Sequence, residues 1–231
     1  MLIVRGNNII VGAPFRPTQI LVFDTETTGL IPRQDKSAPA MPLSVYPYIT
    51  QASFIMYDLS QRRIIETYDT YIKVPDHVEI SDETINLTKI TKDMCNRGKD
   101  VTDFLEHFYN AYSRADVLVG HNIDFDIKMI TVELERNRDR IRSECLRLFN
   151  KGSEELRNVE RYCTMKKGTP ICNIIVENSS RKKWPKLSEL YVKLFNEPAP
   201  EDMHNSLVDI IATLKCYLKM RHGISSGSNG L

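Results

Sequence analysis

Cysteine is scarce and scattered in this chain of 231 residues: Cys95, Cys145, Cys163, Cys172 and Cys216 form no CxxC pair. A disulfide framework and a clustered zinc site are therefore not expected, and reduced thiols suit an intracellular compartment, cytoplasmic or nuclear. Long apolar runs are missing as well. Stretches such as Ile20-Leu21-Val22-Phe23 are strand-sized, far short of the roughly 20 residues of a membrane helix, so no membrane partner is expected. The N-terminus carries one Arg and no apolar block ahead of a small-residue cleavage position, so no secretory signal is expected. Gly (10) and Pro (11) are too few for a collagen-like or low-complexity chain. Neither sign of charge dominates, with 31 basic and 30 acidic side chains giving +1. What remains is an ordinary globular composition, 42% hydrophobic and 26% charged.

Charge is unevenly spread along the chain. Residues 64–86 carry six acids against Lys73, whereas residues 161–193 carry eight bases against Glu177 and Glu189. The densest basic run, Arg181-Lys182-Lys183-Trp184-Pro185-Lys186, suits either a polyanion or an ordinary solvated loop. Residues 2–5 and 9–12 flank Gly6-Asn7-Asn8 and predict a small N-terminal β-hairpin. Ile20 to Asp24 reads as a buried strand, and the prolines between 31 and 47 predict a loop. Tyr48–Asp58 and Arg63–Val74 are rich in β-branched and aromatic residues and predict a hairpin turning at Leu59-Ser60-Gln61-Arg62. Val101, Phe104, Leu105, Phe108 and Tyr112 recur at helical spacing. Asp116–Val119 reads as a fourth strand, followed by a helix over about 124–137. Further helices are predicted around Leu187–Phe195 and Leu207–Leu218. Residues 138–180 read as a charged helix to about 160 and then an extended stretch. This order predicts an α/β fold: a mixed sheet of three antiparallel strands and then parallel ones, flanked by α-helices.

Carboxylates gather at the ends of these elements. In Phe23-Asp24-Thr25-Glu26-Thr27-Thr28-Gly29, Asp24 and Glu26 share one face of a strand, about 6–7 Å apart. They repel unless a divalent cation lies between them, although a strand ending in a capped turn has the same spelling. Gly29 would let the chain turn away sharply. The fourth strand ends in Val119-Gly120-His121-Asn122-Ile123-Asp124-Phe125-Asp126. Asn122 is a suitable N-cap, while Asp126 either complements the helix dipole or faces the same rim as Asp24 and Glu26. His121 fits a structural or substrate-positioning role better than that of a base.

The third cluster is His204-Asn205-Ser206-Leu207-Val208-Asp209. On one helix its end residues would diverge by roughly 140°. For both to serve one site, His204 must precede the helix on a loop, with Asn205 or Ser206 as N-cap and Asp209 in the second turn. Four clustered carboxylates (Asp24, Glu26, Asp126, Asp209) require neutralising cations, and oxygen donors favour Mg²⁺ or Mn²⁺. Two such ions about 3.5–4 Å apart can clamp the attacking and leaving oxygens of a phosphoryl displacement. An imidazole such as His204 can take the proton of the attacking water. The chemistry predicted is metal-assisted phosphodiester hydrolysis.

In this order the three strings resemble the exonuclease motifs of the DEDDh (DnaQ-like) 3′–5′ exonucleases, above all the group containing the proofreading ε subunit of bacterial DNA polymerase III. The resemblance covers about residues 19–220. It implies a ribonuclease-H-like fold, with an exonuclease domain over 19–222 that carries an insertion at about 138–180; residues 1–18 are then an N-terminal extension, and the Gly/Ser-rich residues 223–231 read as a flexible tail. By this resemblance Asp24 bridges two divalent cations, Glu26 and Asp209 complete the tighter site, and Asp126 supports the metals through water. His204 is then the general base. Substrate contacts are implied for Thr25, Thr27, Thr28, Gly29, His121 and Asn122.

The activity implied is release of nucleoside 5′-monophosphates from single-stranded or frayed 3′ ends, DNA slightly preferred, with a DNA polymerase as an implied partner. RNA 3′-end processing and a non-catalytic module that binds nucleic acid or a polymerase are the rival readings. The chain departs from the family in two places. Leu87-Thr88-Lys89-Ile90-Thr91 stands where members often carry His-Gly-Ile-Thr, which makes Lys89 a candidate phosphate contact. Residues 138–186 are longer than in minimal members, and Trp184 is either a stacking residue on a single-strand path or part of the core.

Overall fold

The computed structural model describes residues 2–5, 8–11, 18–33, 41–177 and 179–224. The predicted N-terminal hairpin is present as Leu2–Arg5 (β1) and Asn8–Val11 (β2), paired antiparallel. Its turn at 6–7, part of the predicted loop (34–40) and most of the predicted tail (225–231) lie outside the described residues.

Gln19–Thr27 (β3) opens with Ile20, Leu21, Val22 and Phe23, all at most 1% exposed. A strand apolar on both sides belongs inside a sheet covered on both faces. Ile49–Asp58 (β4) flanks it on one side, followed by Arg63–Tyr71 (β5). Val117–Gly120 (β6) flanks it on the other, followed by Glu160–Cys163 (β7). β3, β4 and β5 are antiparallel neighbours, while β6 runs parallel to β3 and β7 parallel to β6. The mixed sheet of three antiparallel strands and then parallel ones is therefore the observed one.

Side chains alternate across this sheet. Leu21 and Phe23 join Phe54 and Met56 against Val101–Tyr112 (α3) and Ile123–Arg136 (α4). Ile20 and Val22 join Ile55, Tyr57, Val117 and Val119 against Ile210, Leu214 and Tyr217 of Ser206–His222 (α8). The same parity continues beyond the apolar run. It sends Asp24 and Glu26 to the α8 side and Thr25 to the α4 side.

Residues 138–180 differ from the expectation of one charged helix and an extended tail. They form a short 3₁₀ turn at Ser143–Arg147 and a helix at Lys151–Arg157 (α5), which stops at Asn158 in the left-handed region (φ 55°). β7 follows because Tyr162 and Cys163 are buried and its backbone pairs with β6. Thr164–Cys172 (α6) is helical where extended chain was expected: Thr164, Met165 and Gly168 form a buried face, and Gly168 lies against Leu190 of Leu187–Phe195 (α7). Two short helices, Asp82–Thr88 (α1) and Lys92–Asn96 (α2), have no counterpart in the predicted elements. Ser81 and Thr91 cap them through side-chain oxygens. Among the described residues, no helix is long and apolar enough to cross a membrane.

Candidate active site

The ends of β3 and β6 and the starts of α4, α7 and α8 meet around a cavity of about 310 Å³. Asp24, Glu26, His121, Asn122, Asp126, His204 and Asp209 all line it. Residues separated by up to 185 positions in the sequence are thus brought together. Phe125, Lys186, Leu187, Ser188 and Met203 line it too and are absent from the sequence-derived site. Lys186 was visible only as the end of a basic run. Nothing in the local spelling linked it to the acids.

Asp126 is buried in the first turn of α4, where the positive end of the helix favours a carboxylate. Its Oδ1 accepts bonds from the backbone N–H and the hydroxyl of Thr25, at 2.9 and 2.8 Å. These two bonds tie α4 to β3, so the Thr25 hydroxyl is engaged in holding Asp126. The other motif threonines are engaged as well. Thr27 donates to the Gly29 carbonyl (2.7 Å), and the Thr28 hydroxyl accepts from the Tyr48 N–H (3.0 Å). Gly29 has no positive φ, and a Cβ there would meet nothing within 4 Å, which corrects the expectation of a glycine-dependent turn.

His204 precedes α8 on a loop, at φ +76°, a conformation rare for a residue with a Cβ. Asn205 is the N-cap, its side chain accepting from the Leu207 N–H at 3.1 Å. The helix start is fixed from β4: Gln51 accepts from the Ser206 N–H, and the Ser53 and Ser206 hydroxyls meet at 2.5 Å in a buried contact. The His204 N–H donates to Asp209 Oδ2 at 3.3 Å and closes the loop onto the helix. One ligand atom each from Glu26, His204 and Asp209 lie within 4.8 Å of one another.

Asn122 occupies the N-cap position of α4 in the left-handed region, but its side chain makes no capping bond there, unlike the expected cap, and it lines the cavity. His121 is fully engaged. Its Nε2 donates to the Pro185 carbonyl and its Nδ1 faces the Thr164 hydroxyl, both at 3.0 Å. Burial also keeps its pKa below the ordinary imidazole value. Lys89 ends α1 at φ +63°, so a lysine adopts the left-handed conformation that a glycine adopts without strain; its Nζ donates to the Asn86 carbonyl. Trp184 is 62% exposed and does not belong to the core.

The electrostatics demand a counter-charge. Burial, then Asp126, Glu26 and Asp209, hold the Asp24 carboxyl well above the usual range. Burial with Asp209 and Asp126 raises Glu26 to about 8. Burial raises Asp126 to about 7 against the pull of the two Thr25 bonds, and Asp209 to about 6 against the His204 N–H. His204 is shifted the other way, lowered by burial and by Lys186, so a neutral ring is favoured near pH 7. Asp209 Oδ1 is buried with no hydrogen-bond partner among the described residues, a lone-pair oxygen left over for a cation. Four carboxylates with one orphaned oxygen fit hard divalent cations, which prefer oxygen donors.

The ribonuclease-H-like sheet and its acid-lined cavity define a nuclease. Residues 21–217 match the RNase_T exonuclease family model, and the chain belongs to that exonuclease family. The DNA polymerase III PolC-type of Listeria monocytogenes is 34% identical over 115 residues, half of this chain and 7% of that protein's length. The PolC-type enzyme of Oceanobacillus iheyensis is 31% identical over 116 residues, again 7% of its length. The chain thus spans a small fraction of these curated relatives.

Among solved structures, E. coli exonuclease I bound to a dT13 oligonucleotide shares the fold at a TM-score of 0.61 and 17% identity. The overlap takes in 89% of this chain and 42% of that one. A 3′-exonuclease that recognises the histone mRNA stem-loop does so at 0.58 and 13% identity, over 88% and 81% of the two chains.

Proposed function

We propose that this chain removes nucleotides one at a time from the 3′ end of single-stranded or frayed nucleic acid, preferring DNA, and releases nucleoside 5′-monophosphates. The observation that carries this reading is the convergence of Asp24, Glu26, Asp126 and Asp209 on one cavity beside His204. Asp24, Glu26 and Asp209 would hold two Mg²⁺ or Mn²⁺ ions directly, and Asp126, engaged with Thr25, would act through water. Bound cations supply Lewis-acid stabilisation of the charge that develops on the phosphoryl oxygens.

The protein's own part is to orient and to move a proton. A neutral imidazole of His204 accepts the proton of the attacking water, and its loop position lets it swing over the substrate. Thr25 fixes the Asp126 carboxylate against β3. Asn122 and the backbone at Thr28–Gly29 contact the terminal nucleotide, and Lys89 meets an adjacent phosphate. His121 positions the floor of the site through Pro185.

A 5′-labelled oligonucleotide incubated with Mg²⁺ or Mn²⁺ should shorten stepwise. An intact label across a range of cations and pH overturns the reading. The likeness to E. coli exonuclease I and to the PolC-type polymerases favours DNA and a polymerase partner. The 3′-exonuclease of histone mRNA, matched over most of its length, supports RNA as the second reading. Paired DNA and RNA ladders separate the two. A module that only binds is disfavoured, because it gains nothing from four repelling acids.

A further inference from the structure

Residues 174–177 and 179–186 form two limbs of an arm beside the cavity. Its two limbs are joined by an antiparallel bridge between Ile175 and Lys182, with Val176 donating to Arg181 (2.9 Å) and Lys183 to Ile174 (2.7 Å). The arm is rooted in the site: the buried Pro185 accepts from His121, and Lys186 lines the cavity. Its outer surface mixes bare apolar groups with free cations. Ile175 and Trp184 are each 62% exposed. Lys183 is held by Glu189, whereas Arg181, Lys182 and Lys186 enter no ion pair among the described residues.

Exposed aromatic and aliphatic surface studded with unpaired cations suits single-stranded nucleic acid, which offers base faces and phosphates together. A duplex offers its phosphates but not its base faces. Trp184 stands two residues from Lys186, at most about 7 Å of chain, which matches about two stacked nucleotide steps.

We propose that this arm guides the single strand upstream of the 3′ end, with Trp184 as its stacking platform and Arg181, Lys182 and Lys186 as phosphate contacts. The proposal rests on the exonuclease reading of the cavity and adds that the substrate is gripped several nucleotides back from the cut.

Trp184 is the sole tryptophan of the chain, so its emission reports directly on the arm. An Asp24→Asn chain in Mn²⁺ is titrated with a fluorescein-labelled oligothymidylate and with an unlabelled one. Label anisotropy and Trp184 quenching should saturate together. Arg181→Ala and Lys182→Ala should each flatten the log-affinity against log-salt slope by about 0.7. In the otherwise wild-type chain, Trp184→Ala should lower kcat/KM on the oligonucleotide by about 5- to 150-fold. The p-nitrophenyl ester of thymidine 5′-monophosphate should lose less than about twofold, and Trp184→Phe should restore most of the loss on the oligonucleotide.

Saturating anisotropy with unmoved Trp184 emission, or equal losses on both substrates, overturns the guide while the exonuclease reading stands. If wild type cleaves neither the ester nor the oligonucleotide, the exonuclease reading fails and the guide falls with it.

Discussion

Asp24→Asn removes one of four carboxylates that face one another across the cavity. Cleavage of an oligonucleotide should fall by at least about 10²-fold, the scale of losing a group that stabilises transition-state charge. In EDTA the same change should raise the thermal midpoint, since one source of repulsion is gone. A lower midpoint argues against a like-charge cluster. The acids also set a pH dependence. Their folded values are raised to about 8, 7 and 6 for Glu26, Asp126 and Asp209, so the folded chain holds protons that the unfolded chain has released.

Stability from these groups is therefore full in acid and is lost as pH rises through the folded values. His121 and His204, whose values are lowered, work in the opposite sense below about pH 6.5. Comparison with Glu26→Gln isolates the acid contribution: in EDTA, the variant's lead in midpoint should widen from pH 5 to pH 8. A constant gap, measured by circular dichroism, refutes the raised Glu26. At this scale the acids and His204 were legible because their spelling is unusual. The Thr25 bonds to Asp126 were not. They depend on which face of β3 meets α4, a matter of packing across 101 positions.

Elements deliver these side chains, and their joints are testable. Asn205→Ala removes the cap of α8, a change that costs about 1 kcal/mol. For a chain of this size that corresponds to a drop of roughly 2–4 °C in midpoint. It should lower kcat too, because His204 and Asp209 flank the cap. Gly98 has a different role. A Cβ there would lie 2.4 Å from the Tyr71 carbonyl oxygen, and that backbone anchors the end of β5 through the Lys99 N–H. Gly98→Ala should therefore destabilise by about 1–3 kcal/mol, read as a lower urea midpoint, with little change in site chemistry. An unchanged midpoint means that the turn relaxes freely.

Long amphipathic elements such as α3 were readable from period alone, since Phe104, Leu105 and Phe108 mark its buried face. α1 and α2 were not, being seven and five residues long, too short for a period. Their capping residues were the available signal. β7 was hidden because four residues with two buried side chains look like loop until β6 is beside them.

Across the whole molecule, the two faces of the sheet have separate cores, and α8 covers one of them. A chain ended before Ser206 leaves Ile20, Val22, Ile55 and Tyr57 bare and also lacks Asp209. It should lose cooperative unfolding in a urea titration, and sharp two-state melting of such a chain contradicts this. The antiparallel trio and the parallel strand after it were legible because hairpin and crossover patterns are local. The convergence of three distant motifs on one cavity followed by analogy; the basic run with Trp184 was legible as a candidate strand path, but its seat beside the cavity was not, since that depends on Pro185 meeting His121.

That α8 both seals a core and carries an acid means that scissors and sheath arrive together. On the proposed reading, a chain whose α8 has not docked lacks Asp209 at the cavity and should not cut, so nucleic acid in its vicinity stays safe until that helix is in place.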